Sequence, residues 1–160
     1  MPISLVRRRP VAGAPEGPAK LHLYGYGSYG ISVDPKFNSP IVSLLDRGWI
    51  YAIAHVRGSS TCGRTWYEAG KFHDKANTFS DFVACGEHLV REGYTTHDKM
   101  SIEGRSAGGL LVGAAPRAVY RGSAERCATI RRPGIAASQR SHQQWQWSQR
   151  MRVEGWRRYS

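Results

Sequence analysis

Lys99–Val112, KMSIEGRSAGGLLV, is the stretch on which the reading of the whole chain turns. Its first half, Met100-Ser101-Ile102-Glu103, alternates apolar and polar residues as a short strand does. From Ser106 onward the composition becomes rich in Gly, Ala and Leu, as expected for the opening of a buried helix. Between the two lies Gly104-Arg105-Ser106-Ala107-Gly108, a G-x-S-x-G. This is the nucleophile-elbow pattern, in which a strained strand-to-helix turn lifts a serine hydroxyl above a sheet. The glycines two before and two after the serine have a steric reason to be there, because a Cβ at either place would collide where the backbone doubles back. Five residues can match by chance in a chain with 18 glycines. The strand before and the helix after favour the elbow.

Working outward, the segments on the N-terminal side alternate in type. Ile3-Ser4-Leu5-Val6 reads as a strand, followed by Arg7-Arg8-Arg9 at a solvated strand end, and Val11–Ala19 as a proline- and glycine-rich loop. Lys20–Tyr24 is a second strand that runs straight into Gly25-Tyr26-Gly27-Ser28-Tyr29-Gly30. A turn of that kind at a strand end brings backbone close to a ligand and surrounds it with phenol hydroxyls. It is no phosphate loop, since the Lys-Ser/Thr that would follow is missing. Ser39-Pro40 is expected to open a helix with Ser39 as its cap, and Gly48 to end it. Trp49–Val56 is almost continuously apolar, as a strand buried on both faces would be. Arg57–Glu68 reads as a loop. Thr78-x-x-Asp81 resembles a capping box, and Phe79, Phe82, Val83, Gly86, Leu89 and Val90 then form one helical face, with His88 beside it in a structural role. Strands alternating with helices in this way imply an α/β fold, a parallel sheet with flanking helices and right-handed crossovers.

The chain has 160 residues and a formal net charge of +11. That balance points first to nucleic acid or an anionic surface, but the charge is unevenly spread. Residues 1–106 carry 13 basic and 10 acidic residues, whereas residues 107–160 carry 10 arginines, no lysine, no aspartate and 2 glutamates. The body is an ordinary, weakly basic domain. No apolar run approaches the ~20 residues of a membrane span, so no membrane partner is expected, and MPISLVRRRP lacks the apolar core of a signal peptide. Cys62, Cys85 and Cys127 form no C-x-x-C, which argues against a disulfide framework or zinc site. A cytoplasmic protein without metal or cofactor is the expectation.

After Val112 the periodicity is lost. Three tryptophans, Trp145, Trp147 and Trp156, stand among arginines and glutamines, a composition able to stack on single-stranded nucleic acid. The preferred reading is plainer. Residues 113–160 form a basic tail of no recognised family, disordered or translated out of frame, following a body at 1–112.

With these stretches placed, residues 2–112 resemble the prolyl oligopeptidase family of serine peptidases, and most of all its oligopeptidase B branch. The resemblance rests on YGYGSYGISVDPKFNSP, LLDRGWIYAIAHVRG, GRTWYEAGKF, EGYTTHDKMSIEG and GRSAGGLLVG, in the family's order and spacing. It implies an α/β-hydrolase fold, of which the chain would hold the N-terminal part only. It implies Ser106 as nucleophile, with the Ala107 N–H and the Tyr26 hydroxyl as the two oxyanion donors, and a short peptide as substrate, cut after basic residues. Ser59-Ser60-Thr61-Cys62 departs from the glycine pair and acidic residue that the family would place there.

In this fold the triad runs serine, acid, histidine along the chain. After Ser106 the only histidine is His142, and the only acids are Glu125 and Glu154. None lies in the matching part. The 160-residue chain is therefore expected to be a truncated, inactive fragment of a peptidase. Two other classes stay open: a non-catalytic interaction protein, and a basic nucleic-acid-binding protein acting through residues 114–160.

Overall fold

In a computed structural model, the described residues are 1–9 and 17–115, all within one compact unit, Met1–Ile130. The tail at 116–160, with everything expected of it, lies outside them.

Four strands form one sheet: β1 (Ile3–Val6), β2 (Leu21–Gly25), β3 (Ile50–Ala54) and β4 (Met100–Glu103), in the order β1-β3-β2-β4. The central strand β2 pairs in parallel with both neighbours, Leu23 standing opposite Ala52 on one side and Ile102 on the other. The parallel α/β arrangement is as the sequence indicates. β1 differs: it runs antiparallel to β3, with Ile3 opposite Ala54. An alternating pattern looks the same in either direction, so periodicity could not reveal this. The edge strand is tied down where β3 ends, by His55 N–H donating to Pro2 O at 3.1 Å and by a 2.7 Å hydrogen bond between His55 Nε2 and Ser4 Oγ.

Four helices accompany the strands: α1 (Ser39–Asp46), α2 (Arg64–Glu68), α3 (Lys75–Arg91) and α4 (Ala107–Ala114). One face of the sheet packs against α3 and α4. Leu21, Leu23 and Ala52 meet Phe82, Cys85, Leu89 and Leu111 there, all buried. Each large apolar side chain hidden in this way is worth about 1.5–3 kcal/mol. Burial also pushes the Cys85 thiol up to about 12, which leaves it inert. On α3, Phe82, Cys85, Gly86 and Leu89 form the buried stripe, whereas His88 is exposed and pairs with Arg91 and Glu92. The opposite face of the sheet is polar over β2 and β4. His22 bridges the strands there, with Nδ1 2.7 Å from Ser101 Oγ and Nε2 2.8 Å from Glu103 Oε2, and its ring stacks on Tyr51.

Three local expectations are corrected. The cap of α1 is Asn38, in extended conformation, and Ser39 is already helical. No residue of α1 is buried; Ile41, Val42 and Leu45 line an open groove of about 360 Å³ with Leu5, Val6 and Phe37. The loop at 57–68 contains a helix, α2, too short to show an apolar period. Finally, α3 starts at Lys75, so Thr78 and Asp81 are no capping box. Both are buried inside the helix and reach across to the β3–α2 loop. Thr78 Oγ1 donates to Arg57 O at 2.8 Å and to Gly70 O at 3.2 Å. The Asp81 carboxylate accepts three bonds from Arg57, from its backbone N–H, Nε and a terminal guanidinium nitrogen, at 3.0, 2.8 and 2.6 Å.

Two outcomes follow from this packing. Asp81→Ala strips a buried pair of one partner, and urea unfolding should show a loss of about 3–5 kcal/mol; a loss under about 1 kcal/mol would mean that the pair does not hold the loop. His55 is kept neutral by burial, which lowers its pKa from 6.5 despite the nearby Asp34. A histidine with a depressed folded pKa stabilises fully above the unfolded value and less as pH falls through it. The wild type should therefore lose more stability between pH 7.5 and 5.5 than His55→Gln does.

Candidate active site

β4 ends at Glu103 and α4 begins at Ala107, so Gly104, Arg105 and Ser106 make the whole turn. Ser106 carries it with φ 54° and ψ −117°, a left-handed conformation that a side chain adopts at a cost of about 1–3 kcal/mol. Gly108 N–H donates to Arg105 O at 2.8 Å and Gly109 N–H to Ser106 O at 2.9 Å, which closes the turn into the helix. The flanking glycines are required. A Cβ on Gly104 would stand 2.1 Å from Gly108 O, and one on Gly108 would stand 2.7 Å from Gly25 O. Ser106 is exposed, while Ala107 behind it is buried. As the first helical residue, Ala107 has an N–H with no helical acceptor, and it takes none among the described residues. The positive end of the α4 dipole points the same way.

Tyr26 follows directly on β2 and packs against this turn: the added Cβ of Gly108 would lie 3.4 Å from Tyr26 Cα. Burial raises the Tyr26 phenol above its usual 10, with help from Tyr29, and a hydrogen bond with the Ser106 side chain offsets part of the rise. Ser106, the Ala107 N–H and the Tyr26 hydroxyl, which lie 81 positions apart in sequence at the extremes, thus share one end of the sheet. The rest of the tyrosine- and glycine-rich turn is wound with Gly27, Tyr29 and Gly30 all at positive φ (63°, 57° and 67°), and the Tyr29 ring stands exposed. Gly30 N–H donates to Gly58 O at 3.0 Å, joining it to the loop after β3. The serine pair of that loop is accommodated: Ser59 is buried and its Oγ donates to Val56 O at 2.9 Å.

One participant escaped the sequence reading. Lys75 Nζ donates to Ser28 Oγ at 2.8 Å and to Gly27 O, and burial lowers its pKa to about 8. Nothing in the pattern singles out one lysine of the segment KFHDKANTF. Among the described histidines, His22, His55 and His88 are engaged with Glu103, Ser4 and Arg91. His142, Glu125 and Glu154 lie outside the described residues.

Comparison with known proteins agrees with this geometry. The model of the prolyl oligopeptidase family matches residues 35–133, running past Val112, where the sequence reading drew its boundary. Dipeptidyl aminopeptidase BI of Pseudoxanthomonas mexicana is 51% identical over 114 residues, which are 71% of this chain and 16% of that protein. Protease 2 of Moraxella lacunata is 54% identical over 98 residues, 61% of this chain and 14% of the relative. Among solved structures, oligopeptidase B from Trypanosoma brucei with covalently bound antipain superposes with a TM-score of 0.66 at 57% identity, covering 71% of this chain and 16% of that one. The chain spans about a sixth of the length of these relatives.

The steric account of the elbow separates two substitutions that look alike on paper. Gly104→Ala should cost at least about 3 kcal/mol or abolish cooperative melting, because the clash is with backbone. Gly113→Ala, late in α4 with open space around it, should be neutral or stabilise by up to about 1 kcal/mol. Equal thermal shifts for the two would refute the account.

Proposed function

Because the chain belongs to the prolyl oligopeptidase family, with the α/β-hydrolase fold, we propose that it is the nucleophile-bearing part of a serine peptidase acting on short peptides, with cleavage after basic residues. The observation that carries this reading is Ser106 itself, an exposed serine at positive φ on a strand-to-helix turn, with an unused N–H behind it and a phenol beside it. In the proposed chemistry Ser106 Oγ attacks the peptide carbonyl carbon. The carbonyl oxygen becomes an oxyanion and accepts hydrogen bonds from Ala107 N–H and Tyr26 O–H. A base takes the serine proton and passes it to the leaving amine, and water then releases the acyl group. Specificity for basic residues is supported by the likeness of the G-R-S-A-G-G elbow to the oligopeptidase B branch.

The division of labour along the chain is part of the same proposal. Residues 1–112 supply the sheet, the nucleophile and the oxyanion donors, and residues 113–160 supply no working acid and base. A cytoplasmic setting is part of the same reading, in keeping with Cys62 and Cys85 carrying no disulfide among the described residues. Without a base the Ser106 hydroxyl stays protonated, so the purified 160-residue chain should neither turn over an arginyl amide nor react with a fluorophosphonate. Adding imidazole at about 0.1 M replaces the base from solution and should permit slow labelling. That labelling should vanish in Ser106→Ala and fall roughly 10²-fold in Tyr26→Phe. Labelling that survives Ser106→Ala would sink the assignment of the nucleophile. Labelling without imidazole that is lost in His142→Ala would put the tail into the site.

A further inference from the structure

Lys75 occupies a position where a cation is disfavoured on three counts. It is the first residue of α3, at the positive end of the helix dipole. It is half-buried, and that burial lowers its pKa. And no carboxylate lies within ion-pair distance of its Nζ among the described residues. Asp81, on its own helix, is bound to Arg57 of the β3–α2 loop, and Glu68 of α2 is bound to Arg64 and Lys71. Other ionisable groups on the surrounding elements include His73 and Asp74 of the preceding turn, Tyr67 of α2, and Tyr26 and Tyr29 of the β2 turn. Among the described residues the compensation is two hydrogen bonds, to Gly27 O and Ser28 Oγ, and both acceptors belong to the turn that carries Tyr26.

We propose that Lys75 is a positioning residue that fixes the Gly27–Ser28 peptide and, through it, the direction in which the Tyr26 hydroxyl points. The inference rests on the oxyanion role given to Tyr26 under the proposed function. A peptide unit is planar, with its C=O and N–H opposed. Drawing Gly27 O toward the ammonium therefore sets the plane of the Gly27–Ser28 unit, the second peptide after Tyr26, and with it the ψ of Gly27. The turn has no room to adjust in another way. A Cβ on Gly27 would meet Thr78 Cγ2 at 2.4 Å and Val56 Cγ2 at 2.6 Å, and a Cβ on Gly58 would meet Gly27 O at 2.2 Å. Gly27 O is thus wedged between Gly58 and Lys75. On the far side, Gly108 of α4 lies against Tyr26 Cα. Tyr26 is held between two backbones, and Lys75 provides the polar attachment of one of them.

The test uses the full 160-residue chain, with hydrogen-exchange mass spectrometry of the segment 24–31 and imidazole-assisted fluorophosphonate labelling read side by side. Lys75→Met should speed exchange of that segment at least about tenfold, leave the β3 and C-terminal α3 segments unchanged, and slow labelling about tenfold. Tyr26→Phe should slow labelling without loosening the turn. In the wild type, exchange of the segment, corrected for its intrinsic pH dependence, should rise with a midpoint near 8 as the ammonium loses its proton, and Lys75→Met should lack that step. Normal labelling and normal exchange in Lys75→Met, with slow labelling in Tyr26→Phe, would overturn the role of Lys75 while leaving the oxyanion reading intact. Normal labelling in Tyr26→Phe would remove the oxyanion reading and this role with it. If Lys75→Met does not fold, Lys75→Gln takes its place under the same readouts: normal exchange of 24–31 with normal labelling in that variant overturns the proposal.

Discussion

The backbone of Gly104 rests against the backbone of Gly108, and the C-terminal end of the sheet is arranged around that contact. The added Cβ of Gly104 would lie only 2.5 Å from Gly108 C and 3.0 Å from Gly25 O. Three glycines, one at the end of β2, one just past β4 and one in the first turn of α4, therefore converge on a single point. Parallel pairing makes this possible, since Tyr24 stands opposite Glu103 and the two strands end within one residue of each other. Ser106 is forced to positive φ because the chain must leave the sheet and enter a helix within three residues. That strain is offset on the other side of the same turn, where Leu111 and Val112 of α4 pack with Phe82. A strained residue persists only where its surroundings leave it no alternative, and here the buried foot of α4 supplies that constraint.

A second set of close backbone contacts repeats the device beside the first. Gly27, Gly58 and Gly70 lie so near one another that a Cβ on Gly70 would fall 2.2 Å from Gly58 N. Backbone packed this tightly leaves no room for water, so its polar groups must be satisfied by side chains. Thr78 and Asp81 do this from α3, and the Arg57 guanidinium closes the pair with Asp81. A buried carboxylate with three donors is stable where an unpaired one would be expelled. The two glycine clusters flank Tyr26, which explains why a phenol on a surface turn has a defined place.

The sequence made the elbow and the sheet legible, because both are written in features that report directly on backbone geometry: glycine spacing, alternation and the 3.6 period. Four strands and the packing face of α3 were found that way, although of the residues read into that face Phe82, Gly86 and Leu89 are buried and Phe79, Val83 and Val90 are half-buried. The direction of β1 was not, as alternation carries no sign. Thr78 and Asp81 were misread, since a buried threonine or aspartate in a helix has the same spelling as a cap, and only the partner across the core tells them apart. Lys75 was missed for a related reason. Periodicity says which residues are hidden and nothing about what a hidden polar group bonds to. Ser106 was marked by the glycine spacing of the elbow, whereas Ala107 and Tyr26 were named through the family resemblance; the structure brings the three to one end of the sheet.

Proximity of the right side chains is a poor guide to chemistry, and this chain contains the counterexample. Ser101, His22 and Glu103 are joined in sequence by contacts of 2.7 and 2.8 Å, closer to a triad on paper than anything around Ser106. Yet Ser101 sits within β4, paired with β2 in the register His22 opposite Ser101, and its Oγ also reaches Leu21 O at 3.2 Å. A carbonyl oxygen turning into an oxyanion beside Ser101 would find backbone already committed to a strand ladder and no helix end. At Ser106 the arrangement is reversed: an N–H without an acceptor, a phenol and the start of a helix surround a hydroxyl that no described base activates. Donors aimed at the developing charge cannot be recruited after the fact, because they are part of the backbone path. A base is a single side chain. The fold has built the part that is hard to supply.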